Sequence, residues 1–448
     1  MLTLHGYRIP KTDISNLIDL KGRLTVRPYI PKVFVDPRFV PRYPVYKESE
    51  NYIYVPKHYG IQEYGPYGSS TRDVTQTAET YWNFAGSLRP TQECVVNSFL
   101  KPEPRDGILS LQTGGGKTVC ALYIASQLRL PTLVLVHSTF LRDQWIERIQ
   151  AFLPNARIGT IQGETIEIED KDIVVGMLQT ISMKELPAKT FAPIGLVIVD
   201  ECHHIASEAF SQAIPKLTSK YMLGLSATPE RKDKLMHVIN WFLGPILYQS
   251  DTNDKVDSGV KVEVVQFETD DEYFNEIIYN KAGVMATVSM INKLVEFEPR
   301  NRVLVDLIED VYHEPNRNVL LLTDRVEHTK KLLSMLPPVI QENAGILSSG
   351  MKPAVRDEFC ASKRILISTY QLCSEGFDVP TLNTLIMASP RPSVEQIVGR
   401  ILRTDKTKRT VKPLIIDIVD TTFRRQFQQR LSLYKERSYV VEKVKLTD

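Results

Sequence analysis

The chain has 448 residues, with 55 Lys plus Arg against 53 Asp plus Glu and a formal net charge of +2. That balance excludes a protein polybasic throughout, while leaving room for the local basic tracks a nucleic-acid groove uses. An apolar share of 43% and a charged share of 24% are globular values that exclude wholesale disorder, and the length accommodates roughly two to four domains. Cys94, Cys120, Cys202, Cys360 and Cys373 are widely spaced with no CxxC pair, which argues against a disulfide framework or a structural zinc and fits a reducing compartment. The opening MLTLHGYRIPK lacks a signal-peptide core, and no stretch approaches the ~20 apolar residues of a membrane span. The expectation is a soluble intracellular protein with no membrane partner.

In chain order, residues 1–85 hold ten of the nineteen tyrosines together with Pro28, Pro31, Pro37, Pro41, Pro44 and Pro56. Prolines at that density break helices, so the segment reads as a small β-rich accessory module of short strands and turns. Its residues 1–68 carry ten Lys/Arg against six Asp/Glu, interleaved with Tyr29, Phe34, Tyr43, Tyr46 and Tyr54. Such aromatics can stack on unpaired bases, or they can supply bulk to a domain that docks on its neighbour. Over 86–250, apolar runs of strand length (GILSL, TLVLV, DIVVG, GLVIV, YMLGL) alternate with amphipathic stretches, the pattern of a parallel sheet covered on both faces. A polar lapse at 251–260 reads as a linker. The alternation resumes over 261–420 with KVEVVQF, NVLLLT, RILIST, NTLIMAS and KPLIIDIV, interrupted by a helical pattern between Asp270 and Asn316. Residues 421–448 read as a basic helix or tail, with Phe423, Phe427, Leu431 and Tyr434 at helical spacing.

The first strand of 86–250 runs into Gln112, Thr113, Gly114, Gly115, Gly116, Lys117 and Thr118. Three glycines let backbone N–H groups curl toward phosphate oxygens, with Lys117 reaching the β/γ-phosphates and Thr118 ligating Mg²⁺. Leu111 stands where the strict phosphate-loop pattern has glycine, and the plain alternative is a glycine turn between strand and helix. GLVIV ends in Asp200 and Glu201, a carboxylate pair that is costly at a buried strand end unless it holds a cation or moves a proton. Asp200 would hold Mg²⁺ and Glu201 would act as general base; a helix cap would need Asp alone. His203 and His204 are adjacent and point apart on a helix, which disfavours zinc. Ser226 and Thr228 end the next strand, where their hydroxyls could reach the acid pair. In the second half Gly376 and Asp378 lie past a strand, and Gln396, Arg400 and Arg403 follow. Arg400 and Arg403 share a helical face and could act as arginine fingers or form a solvated basic surface.

Taken together these residues resemble helicase superfamily 2 over roughly Leu88 to Asp420. LRPTQ resembles the adenine-reading element with Gln92 as reader, QTGGGKT motif I, and VGMLQT the nucleic-acid contact that includes Gln179 and Thr180. DECHH is similar to a DEAH-type motif II with His203 in coupling, and SATP to motif III with Ser226 and Thr228. NVLLLTD is similar to motif IV, STYQLCSEGFD (with Thr369 on nucleic acid, Gly376 and Asp378 at the nucleotide) to motif V, and QIVGRILR to motif VI. GLSATPERKD and the basic tail are most similar to the branch holding the eukaryotic excision-repair and transcription helicase, phage branch-migration helicases and the poxvirus-type transcript-release helicase. The N-terminal RLTVRPYIPK and ENYIYVPKHYG look most like large-DNA-virus or phage members. Arg231, Lys232, Asp233 replace the Arg-Glu-Asp triplet of the eukaryotic enzyme, so its duplex-separating role does not carry over.

The resemblance implies an α/β protein of two RecA-like parallel-sheet domains in tandem, with ATP and Mg²⁺ in the cleft between them. Nucleic acid would be the partner, DNA favoured over RNA, with transcription or replication machinery as a further partner and the oligomeric state open to a monomer. The expected activity is ATP-driven duplex unwinding or branch migration. The rivals are a translocase that releases transcripts or remodels protein–DNA complexes without strand separation, and a non-hydrolysing scaffold, against which Lys117, Glu201 and Arg403 argue.

Overall fold

The structure is a computed structural model and describes residues 1–27, 42–72, 74, 82–112, 114–202, 212–227, 235–250, 257–280, 283–348, 351, 353–374, 379, 381–402 and 409–444. The chain divides into two compact units, Met1–Ser250 and Asp251–Asp448, each built on a large sheet.

In the first unit the five near-continuous apolar runs form the middle of an eight-stranded sheet whose outer strands are more exposed. Its order is Thr165–Ile166, Ile158–Gln162, Ile173–Met177, Thr132–Val136, Leu196–Val199, Tyr221–Ser226, Gly107–Ser110, Ile246–Gln249. All neighbours are parallel except the hairpin of the first two strands. Side chains alternate between faces: Ile108, Leu133, Leu135, Val197 and Val199 enter one core, and Leu109, Val134, Leu196 and Ile198 the other. Burial on both faces explains why these strands carry no polar alternation.

The N-terminal residues form a four-stranded antiparallel sheet, in the order Leu2–Thr3, Gly6–Pro10, Tyr52–Val55, Lys47–Glu48, and a two-stranded one. Contrary to the reading as strands and turns, they also form the helices Leu17–Arg23 and Lys57–Tyr64. Asn16 caps the first by accepting from Asp19 N at 3.0 Å, and Pro56 stands at the boundary of the second, where a missing N–H breaks no helical bond. These residues share their core with the large sheet: Tyr7 and Tyr59 are buried in the same cluster as Ile108 and Val197, and Tyr43, Tyr46 and Tyr67 pack against it. The Tyr59 ring meets Trp241 edge-on at 5.0 Å. For these tyrosines the docking reading describes the packing; Tyr29 and Phe34 lie outside the described residues.

The second unit holds a seven-stranded sheet in the order Ala344–Ile346, Ile365–Thr369, Val319–Thr323, Thr384–Met387, Leu414–Asp420, Lys261–Phe267, Val440–Val444, with every described pairing parallel. The tail is helical only over Arg424–Glu436; Ser438 then turns through φ +56°, and Val440–Val444 joins the sheet edge beside Lys261–Phe267. On this helix Arg430 is buried and donates to both Asp417 oxygens at 2.9 and 2.8 Å, with Tyr434 Oη on Oδ2 at 2.9 Å. Residues 257–260, expected within the linker, are anchored: Asp257 N donates to Arg437 O at 2.9 Å, and Asp257 Oδ2 accepts from Arg409 at 2.5 Å. Among the described residues no helix is long and apolar enough to cross a membrane.

Candidate active site

The loop after the strand Gly107–Ser110 leads into the helix Lys117–Leu128. Leu111, the residue that breaks the strict glycine pattern, is buried and still bonded to the sheet through its N–H to Ser226 O at 2.9 Å. It belongs to the strand, and the turn begins after it. Gln112 is exposed, with its N–H on Ser250 Oγ at 3.2 Å. Gly116 has φ +86°, and a Cβ there would stand 2.1 Å from Gln92 Nε2, so glycine is required both for the turn and for the approach of Gln92. Gln92 is buried; its Oε1 accepts from Arg89 N at 2.9 Å and its Nε2 donates to Gly115 O at 3.4 Å. Arg89 Nη2 reaches Gly114 O at 3.4 Å. The helix Pro90–Leu100 thereby braces the loop, a role of Gln92 besides the adenine contact expected of it.

Asp200 and Glu201 follow the strand Leu196–Val199 at its carboxyl end. Asp200 is buried, its Oδ2 accepting from Trp145 Nε1 at 2.8 Å and its Oδ1 from Glu201 N at 2.9 Å. Glu201 adopts φ +44°, a left-handed turn residue, and its Oε1 accepts from Lys117 Nζ at 2.8 Å. Lys117 and Glu201, 84 residues apart in sequence, thus tie the segments after two strands together in one ion pair. Burial, reinforced by the neighbouring Glu201 charge, raises the Asp200 carboxyl above the usual range despite Lys117 and the two hydrogen bonds. A divalent cation fits this donor set. Each Asp200 oxygen accepts a hydrogen bond and carries a second lone pair, carboxylate oxygen suits Mg²⁺, and positive charge would relieve the crowding of two acids. Thr118, half-buried beside Lys117 at the helix start, supplies a hydroxyl nearby in sequence.

Ser226 is fully buried at the end of Tyr221–Ser226, in register with Ser110. Gln179 is exposed at the start of Leu178–Met183 and donates to His137 O at 2.7 Å, while Thr180 Oγ1 accepts from Gly163 N at 3.0 Å. In the second unit Thr369 ends its strand and its Oγ1 accepts from Leu372 N at 3.4 Å. Arg400, on the helix Glu395–Ile401, is buried rather than solvated. It lies near the Cys373 thiol, which burial pushes up to about 12 against the opposing arginine charge. Thr113, His203, Thr228, Gly376, Asp378, Arg403 and the side chain of Gln396 lie outside the described residues. Sequence reasoning missed Trp145, Arg89 and Ser250. Trp145 sits on the apolar face of an amphipathic helix, where tryptophan reads as bulk, and only the fold reveals its N–H partner.

Residues 85–231 match the family described as "Type III restriction enzyme, res subunit". The chain is 32% identical to "Putative ATP-dependent RNA helicase L396" of Acanthamoeba polyphaga mimivirus, over 100% of this chain and 87% of the relative. It is 26% identical to "Putative helicase 161L" of Invertebrate iridescent virus 6, over 81% and 84%. Among solved structures, S. cerevisiae Dbp5 bound to RNA and ADP BeF3 matches with a TM-score of 0.56 at 17% identity, over 80% of this chain and 89% of that one. That likeness concerns the fold, two RecA-like domains in tandem.

Proposed function

The chain belongs to the ATP-hydrolysing helicases of superfamily 2, and on that premise we propose that it couples Mg-ATP hydrolysis to duplex unwinding or branch migration on DNA. The observation that carries the ATP-site assignment is the 2.8 Å contact of Lys117 Nζ with Glu201 Oε1, which joins the glycine loop to the acid pair. Lys117 would bind the β/γ-phosphates, and Thr118 and Asp200 would hold Mg²⁺. Bound there, Mg²⁺ supplies charge neutralisation on the phosphates. Glu201 takes a proton from the attacking water. Gln92, the loop residues 112–116, Gly376 and Asp378 complete the nucleotide's surroundings in this reading, and Gln396, Arg400 and Arg403 act on the γ-phosphate. Ser226, Thr228 and His203 pass the state of the acid pair onward. Gln179, Thr180 and Thr369 contact phosphate backbone, so binding is salt-dependent and weakly dependent on sequence.

DNA rests on the resemblance to the excision-repair and branch-migration branch; the mimivirus relative, named as an RNA helicase, favours RNA instead. The test is ATP hydrolysis by the full chain with single-stranded DNA, duplex, fork, four-way junction and RNA as stimulators, beside a strand-displacement assay. Stimulation by forks or junctions with strand displacement is expected. Stimulation by RNA alone would move the substrate to RNA, and DNA stimulation without displacement would favour the remodelling translocase.

A further inference from the structure

Trp145 lies on the helix Thr139–Phe152, where Leu141, Trp145 and Ile149 form the buried face. It is 1% exposed and among the largest wholly buried side chains. A tryptophan chosen for bulk alone would bury its N–H without a partner, at the cost of a lost hydrogen bond. Here the indole N–H points at Asp200 Oδ2, 2.8 Å away. The other carboxylate oxygen, Oδ1, accepts from Glu201 N at 2.9 Å. These two donors differ in kind. The Glu201 N–H belongs to the same turn as Asp200 and moves with it, whereas Trp145 comes from a separate helix locked into the core. One donor on each oxygen defines the rotation of the carboxylate about its Cβ–Cγ bond, and the indole ties that rotation to the frame of the unit.

We propose that Trp145 is a positioning residue for hydrolysis, its indole N–H fixing the Asp200 carboxylate in the orientation that receives the Mg²⁺ of Mg-ATP. This rests on the reading of Asp200 as the carboxylate that holds the cation. Residues that hydrogen-bond a metal-ligating group set its orientation and basicity, and their loss typically costs about 10–100-fold in metal affinity or activity. Trp145 acts through Asp200 and touches no phosphate, so its removal should change the demand for Mg²⁺ and spare the affinity for nucleotide itself.

The test uses the full chain in three forms besides wild type. Trp145→Phe removes the N–H and keeps most of the bulk. Benzothienylalanine at position 145, introduced by nonsense suppression, keeps the shape and replaces the N–H by sulfur. Leu141→Ala, on the same buried helical face, perturbs packing and keeps the indole N–H. Binding of a fluorescent, non-hydrolysable ATP analogue is measured first with EDTA and then across a Mg²⁺ titration, and hydrolysis is measured over the same range. Wild-type affinity in EDTA, with the Mg²⁺ midpoint for binding and hydrolysis raised about 10–100-fold in both position-145 forms, is the expected result. Leu141→Ala should melt earlier with an unmoved midpoint. If Trp145→Phe aggregates, the benzothienyl form decides. An unmoved midpoint in that form overturns the proposal, leaving the ATP site intact. A wild-type chain whose nucleotide binding and hydrolysis ignore Mg²⁺ would sink the reading of Asp200, and this inference with it.

Discussion

Lys57 Nζ lies 2.7 Å from Asp106 Oδ2, with both side chains almost wholly buried. The same carboxylate oxygen is 2.9 Å from His58 Nε2, and Oδ1 accepts from Met222 N at 3.0 Å. Asp106 immediately precedes the strand Gly107–Ser110 that delivers the glycine loop, so a helix of the N-terminal residues is clamped to the foot of that strand. Burial works to raise the Asp106 carboxyl, yet Lys57 and His58 overcome it and hold it below the usual range.

Breaking that clamp on one side should be expensive. Lys57→Met leaves a buried carboxylate with the loss of its closest cation, and removing one partner of a buried pair typically costs about 3–5 kcal/mol. Adding Asp106→Asn should recover part of the loss, because the side-chain oxygen can still accept from Met222 N while the stranded charge is gone. Urea denaturation of the two single variants and the double variant reads the coupling directly. Additive losses would show that the pair contributes nothing as a pair.

A chain beginning at Trp82 should fail to fold into a soluble protein. It loses Arg72, a buried guanidinium that donates to the carbonyls of Thr218 at 2.9 Å, Ala192 at 3.1 Å and Ile194 at 2.6 Å. It also uncovers the core face that Tyr7, Ile9, Ile53 and Tyr59 share with the large sheet, an apolar area of the kind that drives aggregation. Expression and gel filtration of this fragment settle the matter. A soluble monomer with full basal hydrolysis would make the N-terminal residues a detachable substrate-binding module.

Glu201→Gln keeps the shape of the side chain and an oxygen that can accept from Lys117, while removing the carboxylate base. Nucleotide binding should stay near wild type and turnover should fall by ~10²–10⁴. Equilibrium binding of the fluorescent ATP analogue beside steady-state hydrolysis separates the two. Near-normal turnover would take the base assignment away from Glu201.

What the sequence made legible follows from which forces act locally. The five middle strands of each large sheet were readable because burial on two faces demands apolar runs, and the outer strands, more exposed, were not. The meeting of Lys117 with Glu201 beside Asp200 was legible because a glycine turn after one apolar strand and an acid pair after another end at the same edge of a parallel sheet. Residues whose role depends on a distant partner were not readable. Trp145 looks like any apolar helix residue until Asp200, 55 positions away, is placed against it. Arg430 reads as surface charge until Asp417 appears beneath it on the sheet. The edge strand Val440–Val444 is disguised by Glu442 and Lys443, since an edge strand buries less than a central one and tolerates charge. The helix Lys57–Tyr64 was hidden by the prolines around it, which mark its boundary and do not enter it.

His328 offers a test of the second unit through pH. Its ring is fully buried, with Nδ1 2.7 Å from Thr323 Oγ1 and Nε2 2.9 Å from Asn301 Oδ1. Asn301 Oδ1 can only accept, so Nε2 carries the proton and Nδ1 accepts from the threonine hydroxyl: a neutral imidazole held at both ends. Burial pushes it down to about 3, with the Arg300 and Lys331 charges adding to the shift, whereas the unfolded chain titrates near ~6.5. Between those values the unfolded state binds the extra proton, so stability rises with pH across the window. The contribution is fully present above ~6.5 and is lost as pH falls toward 3. One unit below the unfolded value, near pH 5.5, the loss is about 1.4 kcal/mol. His328→Gln abolishes this titration. Urea denaturation at pH 7.5 and pH 5.5 should therefore show the wild-type second unit losing about 1.4 kcal/mol more than the variant. The comparison is of pH slopes, so any constant cost of the substitution cancels. Parallel slopes would mean that His328 takes up its proton in the folded protein, which the bonds to Thr323 and Asn301 would then have to accommodate.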